Sequence, residues 1–443
     1  MRSRIAESVR AAGGLGGRAA LSVGVGAFIA AGVLAGPLTA PAMAAFSQPF
    51  ALSGQAADSP TAVNDANGNA IAVWSQYDGA KFPVQVRQIS AAGQPGPVKT
   101  LSASAESSVY PQIAGDGDGG AIMVWSQPNG VSKPLKARSI SASGRLGKLK
   151  TVSRGPKTAK PRIVSDGRGK AMVVWSQGNP KNLRIMARKI TAEGHMGPVK
   201  TLSVAGRRSE DAAIATDADG DAVVVWSQRG DKDSRIKARR ISAKGALGHV
   251  KTLSGSKEDA GLPTIASDRR GNAIAVWDQS RSWNHGHIKA RRISPKGALG
   301  QVKTLAAENG TPDIATDARG DMTVAWDFYG GGHTGIHARQ ISSSGALGPL
   351  QTLLDSHGVA FEPKVGTDAD GNATVVWYIS RTSGRSPLQA RQISAAGALG
   401  PTQTISSAGG SEPQIAVNGE GDAFVVWPQF DGSSRRVWGA FGP

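Results

Sequence analysis

The chain has 443 residues, 51 Lys and Arg against 33 Asp and Glu for a formal charge of +18, and no Cys. This composition excludes disulfide staples and thiol chemistry, so stability must come from burial and backbone pairing. The basic excess favours anionic partners, and with no P-loop, no GxGxxG after a strand and no HExxH, no cofactor is expected.

At the start, Arg2, Arg4, Arg10 and Arg18 precede an apolar run from about Ala19 to Gly36, and Ala42-Met43-Ala44 supplies a small-x-small cleavage site. Residues 1–44 therefore read as a secretory signal peptide. Cleavage after Ala44 removes four Arg and one Glu and leaves an extracellular chain, 45–443, at +15 with no further membrane segment. An uncleaved anchor is the alternative, because the run approaches spanning length.

From residue 47 onward the chain repeats. A stretch such as Asp217 to Trp226, DADGDAVVVW, recurs eight times, ending at Trp74, Trp125, Trp175, Trp226, Trp277, Trp326, Trp377 and Trp427. The spacings are 51, 50, 51, 51, 49, 51 and 50 residues, the regularity of a repeat architecture. In the fourth repeat Ala212 to Thr216 is a short apolar strand, Asp217-Ala218-Asp219-Gly220 a tight turn, and Asp221 to Gln228 a β-branched run. The unbroken apolar stretch Ala222 to Trp226 predicts burial on both faces. Arg235 to Arg239 alternates, as a strand nearer the surface does, and Val250 to Ser254 (VKTLS) makes a fourth strand. Four antiparallel strands every 50 or so residues, with burial falling outward, predict an all-β chain folded as an eight-bladed β-propeller.

The ends support a closed ring. The last repeat stops within its third strand, Arg435 to Pro443, while Pro49 to Ser53 (PFALS) resembles a fourth strand with no repeat before it. Letting the first segment complete the last blade removes two exposed edges. The chain is expected to act as a monomer.

Third strands agree too: Arg87, Arg138, Arg188, Arg239, Arg291, Arg339 and Arg391 follow their tryptophans by 13 or 14 residues, with Ala440 in the last slot. The tryptophans and arginines are read as structural, with each guanidinium expected to stack on an indole.

The run from Pro263 to Ala273 (PTIASDRRGNA) resembles the opening of an NHL-type propeller repeat, and its Asp followed by Trp resembles the Asp-box of sialidase-like propellers. An NHL repeat is shorter and usually carries an acidic residue where Trp stands here. An Asp-box lies between third and fourth strands, whereas this one lies between the first and second. The resemblance implies a propeller and transfers no site residue.

In such blades the turns joining strands one to two and three to four share one face. Here they are monotonous, Asp-x-x-Gly and links such as Gly245-Ala246-Leu247-Gly248, and read as scaffold. The opposite loops vary, as binding loops do. Six of the eight Glu after residue 44 (Glu106, Glu210, Glu258, Glu308, Glu362 and Glu412) lie within five residues before the innermost strand, with Asp58 equivalent in the first repeat. Together with Asp211 and Asp259 they predict an acidic rim suited to a cation, an amine or a basic peptide; solvated loop residues are the alternative. Repeats five to seven add Trp283, His285, His287, Phe328, Tyr329, His333, His337 and Tyr378, a mixture suited to stacking on sugar faces and hydrogen-bonding hydroxyls. His285, His287 and His333 as metal ligands, and incidental loop composition, are the other readings; no metal site is assigned.

Three motifs carry little. Asp217, Asp219 and Asp221 have the alternate spacing of a calcium loop, but Gly220 is one position early and Gln228 stands where the bidentate Glu belongs. Arg319-Gly320-Asp321 fills an ordinary hairpin slot. Lys237 to Arg240 reads as a solvated outer edge rather than a specific nucleic-acid surface. The expected function is a non-enzymatic binding scaffold recognising a glycan, an anionic envelope polymer or a protein. The rivals are a glycan-processing hydrolase or lyase, needing two converging carboxylates or a Tyr and Glu pair, and a structural envelope component.

Overall fold

The computed structural model describes residues 45–443 except 103–106, 129–132, 156–158, 256–257, 283–284, 331–332, 357–358 and 381–384. The signal-peptide reading of residues 1–44 lies outside it. The described residues form eight four-stranded antiparallel sheets and no helix, an eight-bladed β-propeller. Blades are numbered 1 to 8 in the order of their tryptophans. The first strand of each packs beside the first strand of the next, and Gln414–Val417 of blade 8 returns to Ala57–Asn64 of blade 1. These strands therefore line the axis.

Blade 4 runs Ser209–Thr216, Ala222–Arg229, Ser234–Ile241 and Lys251–Thr252. Its second strand is buried along both faces, as its unbroken apolar run requires. Two details differ from expectation. The first strand begins three residues early, at Ser209, because a bulge between Glu210 and Ala213 lets pairing resume beyond it. The fourth is shorter, because after the Leu253 N–H reaches Ile236 O (2.8 Å) the Ser254 hydroxyl takes over and accepts from Ile236 N (3.1 Å).

The same serine geometry identifies the closing strand. Phe50–Ala51 pairs with Arg435–Gly442, Phe50 opposite Gly439. Leu52 N–H then donates to Val437 O (2.8 Å) and Ser53 Oγ accepts from Val437 N (3.0 Å), repeating the Leu253 and Ser254 pattern. The ring is closed as predicted.

In the Asp-x-x-Gly turns the aspartate accepts backbone N–H groups two and four residues on; Asp268 Oδ1 takes Arg270 N at 2.9 Å and Asn272 N at 2.8 Å. Gly271 sits at φ +82°, and a Cβ there would lie 2.6 Å from Asp217 Oδ2 of the preceding blade. Both its conformation and its neighbour demand glycine.

All eight repeat tryptophans are fully buried. Each wedges its blade against the preceding one: Trp277 packs with Val225, Ile236 and Leu253 of blade 4 and Ile265 and Ala275 of its own blade. The arginines do something else than stack on the indoles. Arg87, Arg138, Arg188, Arg239, Arg291, Arg339 and Arg391 each donate from Nε to the carbonyl of a link glycine in their own blade, Gly96, Gly147, Gly197, Gly248, Gly300, Gly348 and Gly400. From Nη1 each reaches a carbonyl on the outer strand of the preceding blade, at 2.7 to 3.2 Å. The stacking expectation is corrected: each charged fork takes a carbonyl from its own blade and one from the preceding blade at once. Blade 8 has Ala440 in the slot, and Phe46 packs into the cluster between blades 7 and 8.

Candidate functional site

On the variable face one residue at the start of the innermost strand lies at positive φ in seven of the eight blades, all but blade 6. These are Ser59, Tyr110, Lys160, Asp211, Leu262, Glu362 and Glu412, at 48° to 55°. A non-glycine residue in this region costs roughly 1 to 2 kcal/mol, and such strain clusters where side chains must be aimed. The result is a collar at the mouth of the axial channel whose chemistry changes from blade to blade.

The collar is not the continuous acidic rim expected. Glu210 is held by a fork from Arg208 (2.7 and 2.9 Å), and Asp211 pairs with Lys160 of blade 3 (3.1 Å). Glu258 accepts from Gln279 Nε2 (3.0 Å), and Asp259 caps the blade 4 loop by accepting Ser234 N (2.7 Å). Arg435 spans Asp58 (3.1 Å) and Glu412 (3.4 Å). Glu106 lies outside the described residues. On a chain this basic, nearly every rim acid meets a local cation or amide.

The histidine sector also divides. Trp283 and the side chain of His285 lie outside the described residues. His287 sits opposite Gln279 within blade 5. His333, at the exposed start of the third strand of blade 6, meets Asp355 (3.2 Å). His337 turns inward, stacked under Phe328 with ring centroids 4.0 Å apart, and shares Glu308 (2.7 Å) with Trp326 Nε1. Among the described residues no group of three or more His, Asp and Glu is placed to hold a metal ion. Asp217 and Asp221 each direct an oxygen at a backbone N–H, at 2.9 and 2.6 Å, rather than at a common centre.

Two expected residues, Tyr329 and Tyr378, do come together, around a third that was not expected. Tyr329 of blade 6, Phe361 of blade 7 and Tyr378 of blade 7 form a row, with successive centroids 5.9 and 5.7 Å apart and tilts of 48° and 32°. Glu362 follows Phe361 on the collar, and Asp327 lies beneath, hydrogen-bonded to Tyr329 and to the N–H groups of Thr311 and Glu362. Burial pushes the Asp327 carboxyl up, opposed mainly by those N–H bonds. Burial also raises Glu362, against Lys364 and aided by the charges of Glu412 and Asp327. Tyr329 is shifted upward and Tyr378 is pushed up to about 12, in both cases chiefly by burial. The Glu362 carboxyl and the two phenols make a set of hydroxyl-matching donors and acceptors beside a partly exposed row of rings.

Asp327, Phe361 and Lys364 were missed from sequence. Their signal is the residue after each repeat tryptophan: Ser75, Ser126, Ser176 and Ser227 in blades 1 to 4 give way to Asp278, Asp327, Tyr378 and Pro428. In the first group the serine can tie its blade to the next, as Ser75 Oγ does to Ser108 O (3.0 Å). Asp327 makes the same crossing toward Glu362 while adding charge.

Below the collar, Arg162 of blade 3 is exposed yet desolvation lowers its pKa, opposed by Asp313 and Asp211, as for a guanidinium standing in an enclosed, wet lumen. Clefts also open on the turn face, between blades 1 and 2 beside Asp65 and Asp118 and between blades 6 and 7 beside Asp317 and Gln340. They are lined by the repeating turns and follow from the architecture.

No family model matches the chain, and no curated protein matches it. Among solved structures it is similar to Chaetomium thermophilum Sqt1 bound to the N-terminus of ribosomal protein L10, with a TM-score of 0.53, 12% identity, and coverage of 90% of this chain and 100% of that one. It is also similar to an ulvan lyase, a polysaccharide lyase, bound to a GlcA(1-4)Rha3S chain, with a TM-score of 0.51, 8% identity, and coverage of 79% and 96%. At these identities the likeness is one of fold.

Proposed function

We propose that this chain is an exported, non-catalytic propeller that binds a glycan on its variable face at the Tyr329, Phe361 and Tyr378 row. The observation that carries this reading is the row itself, rings spaced 5.9 and 5.7 Å beside raised carboxyls. Sugar rings stack on aromatic faces, while carboxyls and phenols exchange hydrogen bonds with hydroxyls. Export is supported by the arginine-rich start, the apolar run and Ala42-Met43-Ala44.

Binding is favoured over turnover by the state of the candidate groups. A lyase tyrosine must ionise to act as base, and both phenols here are shifted away from ionisation. Asp327 is 3% exposed and spends its oxygens on Thr311, Glu362 and Tyr329. A polysaccharide lyase on a similar fold supports the scaffold's capacity to hold a glycan chain and nothing about chemistry here. The test is a glycan array with the 45–443 chain, followed by affinity gels containing mannan, xylan, β-glucan or arabinan and an assay for released reducing ends. Retention without product is expected; retention with product would overturn the non-catalytic part, and no retention on any glycan would overturn the whole reading.

A further inference from the structure

The slot three residues after each repeat tryptophan, where the second strand enters the variable loop, is aromatic in three blades. It holds Tyr329 in blade 6, Phe430 in blade 8 and Tyr77 in blade 1, exposed by 40, 63 and 38%. Blade 7, between them, presents Tyr378 and Phe361 instead. In blades 2 to 5 the slot is Pro128, Gly178, Arg229 and Ser280. There the face is occupied by ion pairs, Arg207 with Asp231 (3.0 Å) and Arg208 with Glu210 (2.7 Å) among them. Rings at this slot, or at Tyr378 and Phe361 in blade 7, thus occupy four consecutive blades, 6 through 1.

At the far end the Tyr77 ring lies 5.1 Å from Phe82, itself 41% exposed. This pair is held before any ligand arrives. Asp78 Oδ1 accepts Ala80 and Lys81 N–H (3.0 and 2.8 Å), the Tyr77 hydroxyl donates to Gly79 O (2.7 Å), and Phe82 O accepts Ser108 N of blade 2 (2.8 Å). Two exposed rings fixed on a tied-down loop are a preorganised platform, which lowers the ordering cost of binding.

We infer that the Tyr77 and Phe82 pair is a second sugar subsite, and that one glycan chain runs along the arc from Tyr329 through Tyr378 and Phe430 to blade 1. The inference rests on the glycan reading of the Tyr329 row. Its ligand is an extended oligosaccharide, because rings at this slot in blades 6, 8 and 1, with Tyr378 and Phe361 of blade 7 between them, stand in series and a short sugar reaches only one end. Linking two subsites through one chain multiplies their contributions.

The experiment is calorimetric titration of the 45–443 chain with dimers through hexamers of β-1,4-linked glucose, xylose and mannose. For the series that binds, the hexamer is expected to bind about tenfold or more tighter than the dimer. In the Tyr77→Ala/Phe82→Ala variant the hexamer should fall to near the dimer's affinity while the dimer is unchanged. Phe430→Ala, at the most exposed of the three rings, should reduce the hexamer's advantage with no effect on folding. An unchanged hexamer-to-dimer ratio in both variants overturns the second subsite. If Tyr329→Ala still weakens every length in that case, the glycan reading stands alone; if no series binds the unmodified chain, both fall.

Discussion

Arg291 of blade 5 reaches across the blade boundary, donating from Nη1 to the carbonyl of Leu253 in blade 4 at 3.0 Å while its Nε holds Gly300 at 2.7 Å. Seven of eight boundaries carry such a staple. Arg291→Met keeps the stem and removes both bonds, leaving two carbonyls short of a donor. Bonds to a charged group contribute about 1.5 to 3 kcal/mol each, and partial exposure gives water access to the freed carbonyls. The expected loss is about 2 kcal/mol, read as a lower guanidinium chloride midpoint. Lysine at 291 should recover little, since an ammonium lacks the planar fork that meets two carbonyls. A midpoint unchanged in Arg291→Met would remove the staple from the account of stability.

The closing strand leads to a second prediction. Leu52 is fully buried among Trp74, Phe424 and Val437, and Ser53 completes the last pairing with Val437. Leu52→Ala should cost about 2 to 5 kcal/mol, as cavities of this kind do. Removing residues 45–53 strips blade 8 of its outer strand and bares the edge Arg435–Gly442. Unpaired edges recruit other chains, so the shortened protein should elute as dimers or larger species on size exclusion. A shortened protein that stays monomeric with unchanged stability would show that the ring does not depend on this closure.

The fold was readable because its determinants recur. A buried indole and an Asp-x-x-Gly turn in every repeat leave a period that composition cannot hide, and the equivalence of PFALS with VKTLS disclosed the ring's closure. The site was only partly readable, because it is made of departures from the repeat. Tyr329, Glu362 and Tyr378 stood out by residue type, but Asp327 sits in a slot that holds Ser in four other blades, and its importance depends on Glu362 of the next blade being beside it. The acidic rim failed for a related reason: Glu210, Glu258 and Asp259 lie in the same lead-in to the innermost strand as Glu362, yet each has a partner, Arg208, Gln279 or Ser234, that spacing alone does not reveal.

Asp278 gives a pH prediction. It occupies the slot after Trp277, and burial pushes its carboxyl up to about 6, against hydrogen bonds from Gly310 N–H and Ser280. A carboxyl whose folded value exceeds its unfolded value disfavours the fold once it ionises. The penalty is absent below about pH 4, grows between about 4 and 6, and is complete above that. The displacement corresponds to about 3 kcal/mol, and partial exposure reduces the expected effect to roughly 1 to 2 kcal/mol. Asp278→Asn keeps an acceptor without the charge. It should match the unmodified protein near pH 4 and exceed it by that amount at pH 7, measured as denaturation midpoints across the range. A constant difference between the two proteins at all pH values would exclude this titration as the cause.

The central ring of the row allows binding to be separated from folding. Phe361 lies between Tyr329 and Tyr378 and is half-buried, so part of its surface packs within the protein and part is open to solvent, where the proposed glycan would lie. Phe361→Leu retains most of the buried volume and loses the flat face. A lost aromatic contact is worth about 0.5 to 1.5 kcal/mol, so glycan affinity should fall roughly fivefold with a change in stability under about 1.5 kcal/mol. Tyr378→Phe makes the complementary cut, keeping the ring and deleting the hydroxyl, and should affect only ligands with a hydroxyl in reach. If Phe361→Leu leaves affinity intact while Tyr378→Phe abolishes it, recognition runs through hydrogen bonds alone and the ring faces are packing. If both weaken binding while the unfolding midpoint holds, stacking and hydroxyl recognition act on the same sugar.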